Sequence, residues 1–258
     1  MRHFVIPDTQ VKPDSNIEHL TWAGKYAVAM KPEVIIHLGD HWDFPSLSSY
    51  DKGKKSFEGR RYQADVESGK VAMQAFLAPI KEEQARQRAN KHKVWKPKLV
   101  FLLGNHENRI TRAVDDSPEL EGLMSFADLG LEKMGWEVVP FLEVKMINGI
   151  AYSHYFTSGV MGRPVSSAKL MLTKKMVSCV MGHVQDRDIA YARRADGVSV
   201  TGLFAGIFYQ EDQSYLTPQT NQSWRGLWIF NEVNNGSFDE LPISMSYLRK
   251  KYGESTNE

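Results

Sequence analysis

The sequence holds one cysteine, Cys179, so no internal disulfide can staple the fold. That thiol lies in the apolar run Val177 to Met181, where a buried and unreactive residue is expected. No apolar run approaches the roughly 20 residues of a membrane-spanning helix, and no charged-then-apolar leader precedes the first apolar segment, Phe4-Val5-Ile6. A cytoplasmic protein with no membrane partner is expected. Repeats, low-complexity tracts and linker-like stretches are also missing, and 258 residues fit a single domain spanning 1–258. Disorder is expected only in a tail at about 250–258.

Net charge is nearly absent as well, at +1, but its distribution is uneven. Residues 51–98 carry 13 Lys/Arg against 6 Asp/Glu, and the remainder is acidic. Such a segment is either a solvated helix or an attractor for a polyanion. It lies inside a long stretch, about 44–98, that separates two apolar strands and reads as a basic, helical insertion. Both of its ends are expected near the same rim, where Arg86, Arg88, Lys91, Lys93, Lys96 and Lys98 would track a phosphate backbone and Trp95 or Tyr62 would stack on a base. Nucleic acid is therefore one partner to test.

What is present alternates strand and helix. Phe4 to Pro7, Val34 to Leu38 and Leu99 to Leu103 are strands. Ser15 with Glu18 forms a capping-box pattern ahead of a helix that Pro32 stops, and a second helix is expected at about Ala64 to Asn90. Ser117-Pro118 predicts a helix running to about Met134. The later half carries Asn148-Gly149, Asp196-Gly197 and Asn235-Gly236 between β-rich runs, a strong hairpin signal, so that half is expected to be mostly antiparallel. A helix at about Ser166 to Lys175 and a strand at Val177 to Met181 complete the pattern. Two sheets packed together and flanked by helices follow from it.

Five apolar strands end in polar clusters: Asp8-Thr9-Gln10, Gly39-Asp40-His41-Trp42-Asp43, Gly104-Asn105-His106-Glu107, His154, and Gly182-His183-Val184-Gln185. Ligands in α/β sheets sit beyond the carboxyl ends of the strands, so all five can converge on one rim. Their order and spacing resemble the five blocks of the calcineurin-like metallophosphoesterases, over residues 8–185.

That resemblance implies an α/β double-sheet sandwich flanked by helices, with mixed sheets in the order αββα. It implies a phosphoric ester hydrolase holding two divalent metal ions that activate a hydroxide. Asp40 would bridge the metals, Asn105, His154 and His183 would complete one site, and Asp8 would hold the other. Gln10 and Gln185 stand where many family members have histidine. An amide ligates only through its carbonyl oxygen, so that second site would be hard and weak; manganese or magnesium is expected there, with manganese, zinc or iron in the other. The resemblance makes His106 the acid that protonates the leaving oxygen and Asp43 the carboxylate that orients it. Arg109 and His41 would contact the substrate phosphate.

Rivals differ at named residues. A non-catalytic metal-binding scaffold has no use for a proton donor in the third block, where this chain keeps His106. A protein phosphatase of the bacteriophage lambda type carries arginine and glycine after the second aspartate, where this chain has Phe44-Pro45. A nucleic acid or nucleotide phosphodiester is accordingly the leading substrate, and a protein or small-molecule phosphomonoester the alternative.

Overall fold

The computed structural model describes residues 1–51, 53–212 and 222–253. Strand β1 (His3–Ile6) leads to helix α1 (Glu18–Met30), β2 (Val34–His37), α2 (Tyr62–Ala89), β3 (Lys98–Leu102), α3 (Arg109–Asp116) and β4 (Trp136–Val139). The chain continues through β5 (Lys145–Ile147), β6 (Ile150–Ser153), α4 (Ala168–Lys175), β7 (Ser178–Met181), β8 (Arg187–Arg193) and β9 (Ser199–Ala205). It ends with β10 (Gly226–Asn234), β11 (Ser237–Ser244) and α5 (Met245–Tyr252).

Two mixed sheets result, in the orders β11-β10-β1-β2-β3-β4 and β5-β6-β7-β9-β8. In the first, β1 to β4 are parallel and the β10–β11 hairpin adds antiparallel to β1. The central strands are apolar on both faces, as strands covered on both sides must be. Alternation sends Phe4, Ile35 and Phe101 to one face, against Ala23 and Ala27 of α1, Phe76 of α2 and Leu248 of α5. The intervening Val5, Ile36 and Val100 meet Ile150, Tyr152 and Val180 of the second sheet. Across that sheet, Ala151, Cys179 and Phe204 pack on Ala168 and Met171 of α4. The molecule is thus α/β, two sheets face to face with helices outside both. Cys179 is fully buried, and burial pushes its thiol up to about 12.

All three Asx-Gly pairs close hairpins, and Asn148 and Asn235 take the positive φ that a type I′ turn demands. The second sheet is nonetheless less antiparallel than its hairpins imply. β6–β7 and β7–β9 pair parallel: α4 provides the crossover between β6 and β7, and β8, antiparallel at the edge, brings the chain back into β9 beside β7.

Three further expectations change. Helix α1 starts at Glu18 behind Ile17, without a Ser15 capping box. Asn16 takes over that turn, its Oδ1 accepting the Glu18 N–H at 3.0 Å. Residues 117–134 form three short 3₁₀ turns instead of one helix, and the α-helix is α3, just before them. Gly122 and Gly130, both at positive φ, interrupt the continuous helix. In the tail, Lys250–Tyr252 complete α5, and residues 254–258 lie outside the described residues.

The insertion is helical, but only its first end lies at the site rim. Helix α2 has 28 residues, a length of roughly 40 Å at the α-helical rise. Its far end returns to Lys98, the first residue of β3, beside Glu33. Arg86, Arg88, Lys91, Lys93, Lys96 and Lys98 therefore gather at the opposite pole of the sheet from Asp40. Trp95 is tied there by its indole N–H, which donates to the Pro32 carbonyl at 2.8 Å. Tyr62 is stacked on Phe44 and donates to Asp128. Neither ring is presented for stacking on a base. Among the described residues no helix is long and apolar enough to cross a membrane.

Candidate metal centre

Each cluster begins where a strand stops: Asp8 after β1, Asp40 after β2, Asn105 and His106 after β3, His154 after β6 and His183 after β7. All five strands deliver their carboxyl ends to one rim. Asp40 and His183 hold positive φ, as does Gln10. Non-glycine residues there cost about 1–3 kcal/mol each, and such strain gathers at functional sites. Two glycines permit close approach: a Cβ on Gly104 would run into the Asp40 carboxylate, and one on Gly182 into that of Asp8.

Glu107 organises the turn around Asp40. Its fully buried carboxylate accepts the N–H groups of Gly104 at 2.8 Å, Asp40 at 2.9 Å, His41 at 2.7 Å and Trp42 at 2.9 Å. Reading the sequence assigned Glu107 no role. The signal available was a tight Gly-Asp turn whose buried N–H groups must find an acceptor.

The ligand atoms converge. Asn105 Oδ1 lies 2.7 Å from His183 Nδ1 and 2.9 Å from His154 Nε2, while His154 Nε2 is 3.4 Å from Asp40 Oδ2. Asp40, His154 and His183 offer ligand atoms all within 4.8 Å of one another. His154 Nδ1 donates to the Leu38 carbonyl at 2.8 Å, which fixes the ring and aims Nε2 at the cluster. Asp8 joins through the backbone, its carboxylate accepting the His183 N–H at 3.1 Å.

The electrostatics set the two carboxylates apart. Burial opposes charge on Asp40, yet His154 and His106 beside it hold its carboxyl well below the usual carboxylate range. Asp8 is pushed the other way, up to about 7, by burial and then by the Asp40 charge. His154 reaches about 9, because Asp40 and Asp8 outweigh its burial, whereas burial lowers His183 to about 4. Two buried carboxylates side by side cannot both stay ionised without positive charge between them. The mixed oxygen and imidazole donors fit a divalent ion of the manganese, zinc or iron kind.

The remaining predicted residues divide. His106 and Asp43 meet as expected, with His106 Nδ1 2.9 Å from Asp43 Oδ1 and 2.9 Å from the Asp43 carbonyl. Burial works against a charged His106, but Asp40 and Asp43 raise its pKa overall. Arg109 Nη1 donates to the carbonyls of Asp43 at 2.7 Å and Phe44 at 3.1 Å, and its Nη2 is 3.3 Å from His106 Nε2. Arg109 lines a cleft of about 590 Å³ that opens above Asn105 and His183.

His41 does not reach that cleft. It is fully buried, with Nδ1 2.7 Å from Thr9 Oγ1 and Nε2 2.9 Å from the Gly69 carbonyl. With both ring nitrogens engaged and burial lowering its pKa to about 4, it offers an anion nothing. Gln10 lines a separate small crevice with Asn16, His19 and Tyr209. Gln185 carries a buried Oε1 that has no hydrogen-bond partner among the described residues.

No family model matches the chain. It is similar to the Gene 54 protein of Mycobacterium phage D29, 32% identical over 80 residues, and to the Gene 54 protein of Mycobacterium phage L5, 33% identical over 81. Each alignment covers 31% of this chain and 30% of the relative, so the chain spans under a third of the length of the curated relatives it matches.

Proposed function

We propose that this chain is a metal-dependent phosphoesterase of the calcineurin-like kind, hydrolysing phosphate esters with two divalent cations, manganese foremost. One observation carries the reading: Asn105 Oδ1 sits between His154 and His183 while Asp40 bonds the His106 backbone, so ligands and acid are locked to one another. The layered arrangement of two sheets between helices supports the same family's sandwich. One cation fits Asp40, Asn105, His154 and His183. The second fits Asp8 and the shared Asp40, with the unpartnered Gln185 oxygen as an amide ligand; Gln10 has weaker support, since it faces its own crevice.

When bound, the cations activate water and neutralise charge on the phosphoryl group. The residues of the chain do the rest. Asp43 holds the Nδ1 proton of His106 and so keeps Nε2 turned toward the substrate. As the ester P–O bond breaks, His106 gives the Nε2 proton to the leaving oxygen, which would otherwise depart as an alkoxide. Arg109, braced by two carbonyls, presents its Nη2 edge beside that nitrogen and binds a phosphate oxygen.

The test is metal-dependent turnover. Metal-stripped protein should hydrolyse p-nitrophenyl phosphate or bis(p-nitrophenyl) phosphate only after Mn2+ is restored, and Asp40→Asn should remain inactive. Absence of turnover with Mn2+, Mg2+ and Zn2+ on both esters would overturn the reading.

A further inference from the structure

The cleft above the metal centre is far larger than a phosphate group needs. Its volume of about 590 Å³ falls in the range of pockets that enclose a whole organic ligand. One wall is α3, where Arg109 and Arg112 both line the cleft, three residues apart. That spacing puts their Cβ atoms about 5–6 Å apart on one helical face. Arg112 is exposed, and its Nη2 donates to the Asn105 carbonyl at 2.9 Å, which holds the guanidinium directly beside the metal centre. Among the described residues no carboxylate forms an ion pair with it, although Asp116, one turn further along α3, lines the same cleft. The facing wall is aromatic. Tyr155 leans on the His183 ring with centroids 4.7 Å apart, and Phe141 meets Tyr155 edge-on at 5.7 Å.

Positive charge also lies on the other side of the loop that follows β2. A hollow of about 360 Å³ there is lined by Lys12, Arg60 and Arg61, with Pro45 at its margin and Glu58 and Asp65 as opposing acids. Arg60 is committed to the Pro45 carbonyl and Asp51, but Arg61 is exposed and donates to the Arg60 carbonyl. The loop carrying Asp43 and Pro45 thus forms a ridge with cationic ground on both flanks.

We propose that a single nucleic-acid strand lies across this face. Its scissile phosphate sits at the metal centre beside Arg109, the neighbouring phosphate sits on Arg112, a base packs against Tyr155, and the strand leaves over the ridge past Arg61. The position of the scissile phosphate rests on the phosphoesterase reading; the rest of the track does not. Successive phosphates on a strand match two guanidiniums one helical turn apart, and a base on an aromatic ring contributes about 1–3 kcal/mol without regard to sequence. A small phosphomonoester would leave Arg112 and Tyr155 with nothing to bind, and a duplex keeps its bases stacked inside, away from Tyr155. The basic run at the far end of α2 lies on the opposite pole and takes no part.

Binding can be read apart from turnover. In EDTA, the anisotropy of a fluorescein-labelled 12-residue oligothymidylate should report binding whose log Kd depends steeply on log salt. Arg112→Gln and Arg61→Gln should each weaken it about 10-fold and lower the salt slope by about 0.7, one phosphate contact apiece. Tyr155→Ala should weaken it by about 10-fold with the slope intact. Lys91→Gln/Lys93→Gln, at the far pole, should change neither. The proposal is overturned if Arg112→Gln and Arg61→Gln both bind like the parent, if the far-pole variant takes the loss, or if a duplex of equal length binds as tightly as the strand. Arg112-dependent binding by a protein that hydrolyses no ester would overturn the phosphoesterase reading and uphold the track. Hydrolysis of the small esters with binding indifferent to Arg112 would do the reverse.

Discussion

Glu107 accepts the backbone N–H of Asp40 at 2.9 Å and fixes the turn that carries the carboxylate proposed as the shared metal ligand. The same carboxylate spans three further N–H groups, so the blocks after β2 and β3 are one hydrogen-bonded unit. Glu107→Gln keeps the shape but turns one acceptor into a donor facing N–H groups. A buried charged acceptor lost in this way costs about 2–4 kcal/mol. Urea denaturation should show that loss, and Mn2+ affinity should fall with it. A variant with the parental urea midpoint would mean the clamp is not needed to hold Asp40.

The two proposed metal positions should respond unequally to ligand loss. Asp40→Asn removes charge from both cations, and His183→Ala removes an imidazole packed on Asn105; each should cut turnover by about 10²-fold or more, without rescue by excess Mn2+. Gln185→Ala removes only a neutral oxygen, so its deficit should be several-fold and should shrink as Mn2+ is raised. Gln10→Ala should be milder still, because Gln10 faces a different crevice. Titration with Mn2+ decides the matter: an equally unrescuable loss for Gln185→Ala would remove the asymmetry.

His106 should reveal itself through the leaving group. His106→Ala should keep its metal content and lose about 10²- to 10⁴-fold in kcat on an alkyl phosphate ester. The loss on a nitrophenyl ester should be much smaller, since nitrophenolate departs without a proton. Equal losses on both esters would assign the proton to another group. Asp43→Asn should show the same leaving-group bias in weaker form, because it touches only the Nδ1 side.

The convergence of Asp8, Asp40, Asn105, His154 and His183 was legible because it follows from strand order: parallel strands deliver their carboxyl ends to one rim whatever the helices do. Side-chain direction was not legible. Asp40 and His41 are adjacent, yet the positive φ of Asp40 turns one toward the centre and the other toward Thr9 and Gly69. The reach of the insertion misled for a related reason. Charge counts place Arg86 and Lys91 in one segment with Arg60 and Arg61, but a 28-residue helix carries them far apart. Helix α3 escaped because its eight residues, Arg109–Asp116, are too few for the helical spacing of Ile110, Ala113 and Val114 to stand out. Its value lies in the arginines it aligns along the cleft.

Stability should fall as the pH drops from 7 to 5, and His3 is one of the histidines, with His41 and His183, whose burial makes it so. It is fully buried between the sheets, with Nδ1 2.8 Å from the Tyr152 hydroxyl and Nε2 3.1 Å from Asn148 Oδ1. Burial lowers its pKa from 6.5 to about 4. The unfolded chain therefore binds a proton at His3 that the folded chain refuses, throughout the window between those two values. With more protons bound on unfolding, stability rises with pH across the window and is lost as pH falls through it. Between pH 7 and pH 5 the expected contribution is about 2 kcal/mol. His3→Gln retains an amide able to meet Tyr152 and Asn148 but cannot titrate. Urea unfolding of both proteins at pH 7 and pH 5 should show the parent losing about 2 kcal/mol more than His3→Gln, and equal losses would show that His3 contributes nothing to the acid sensitivity.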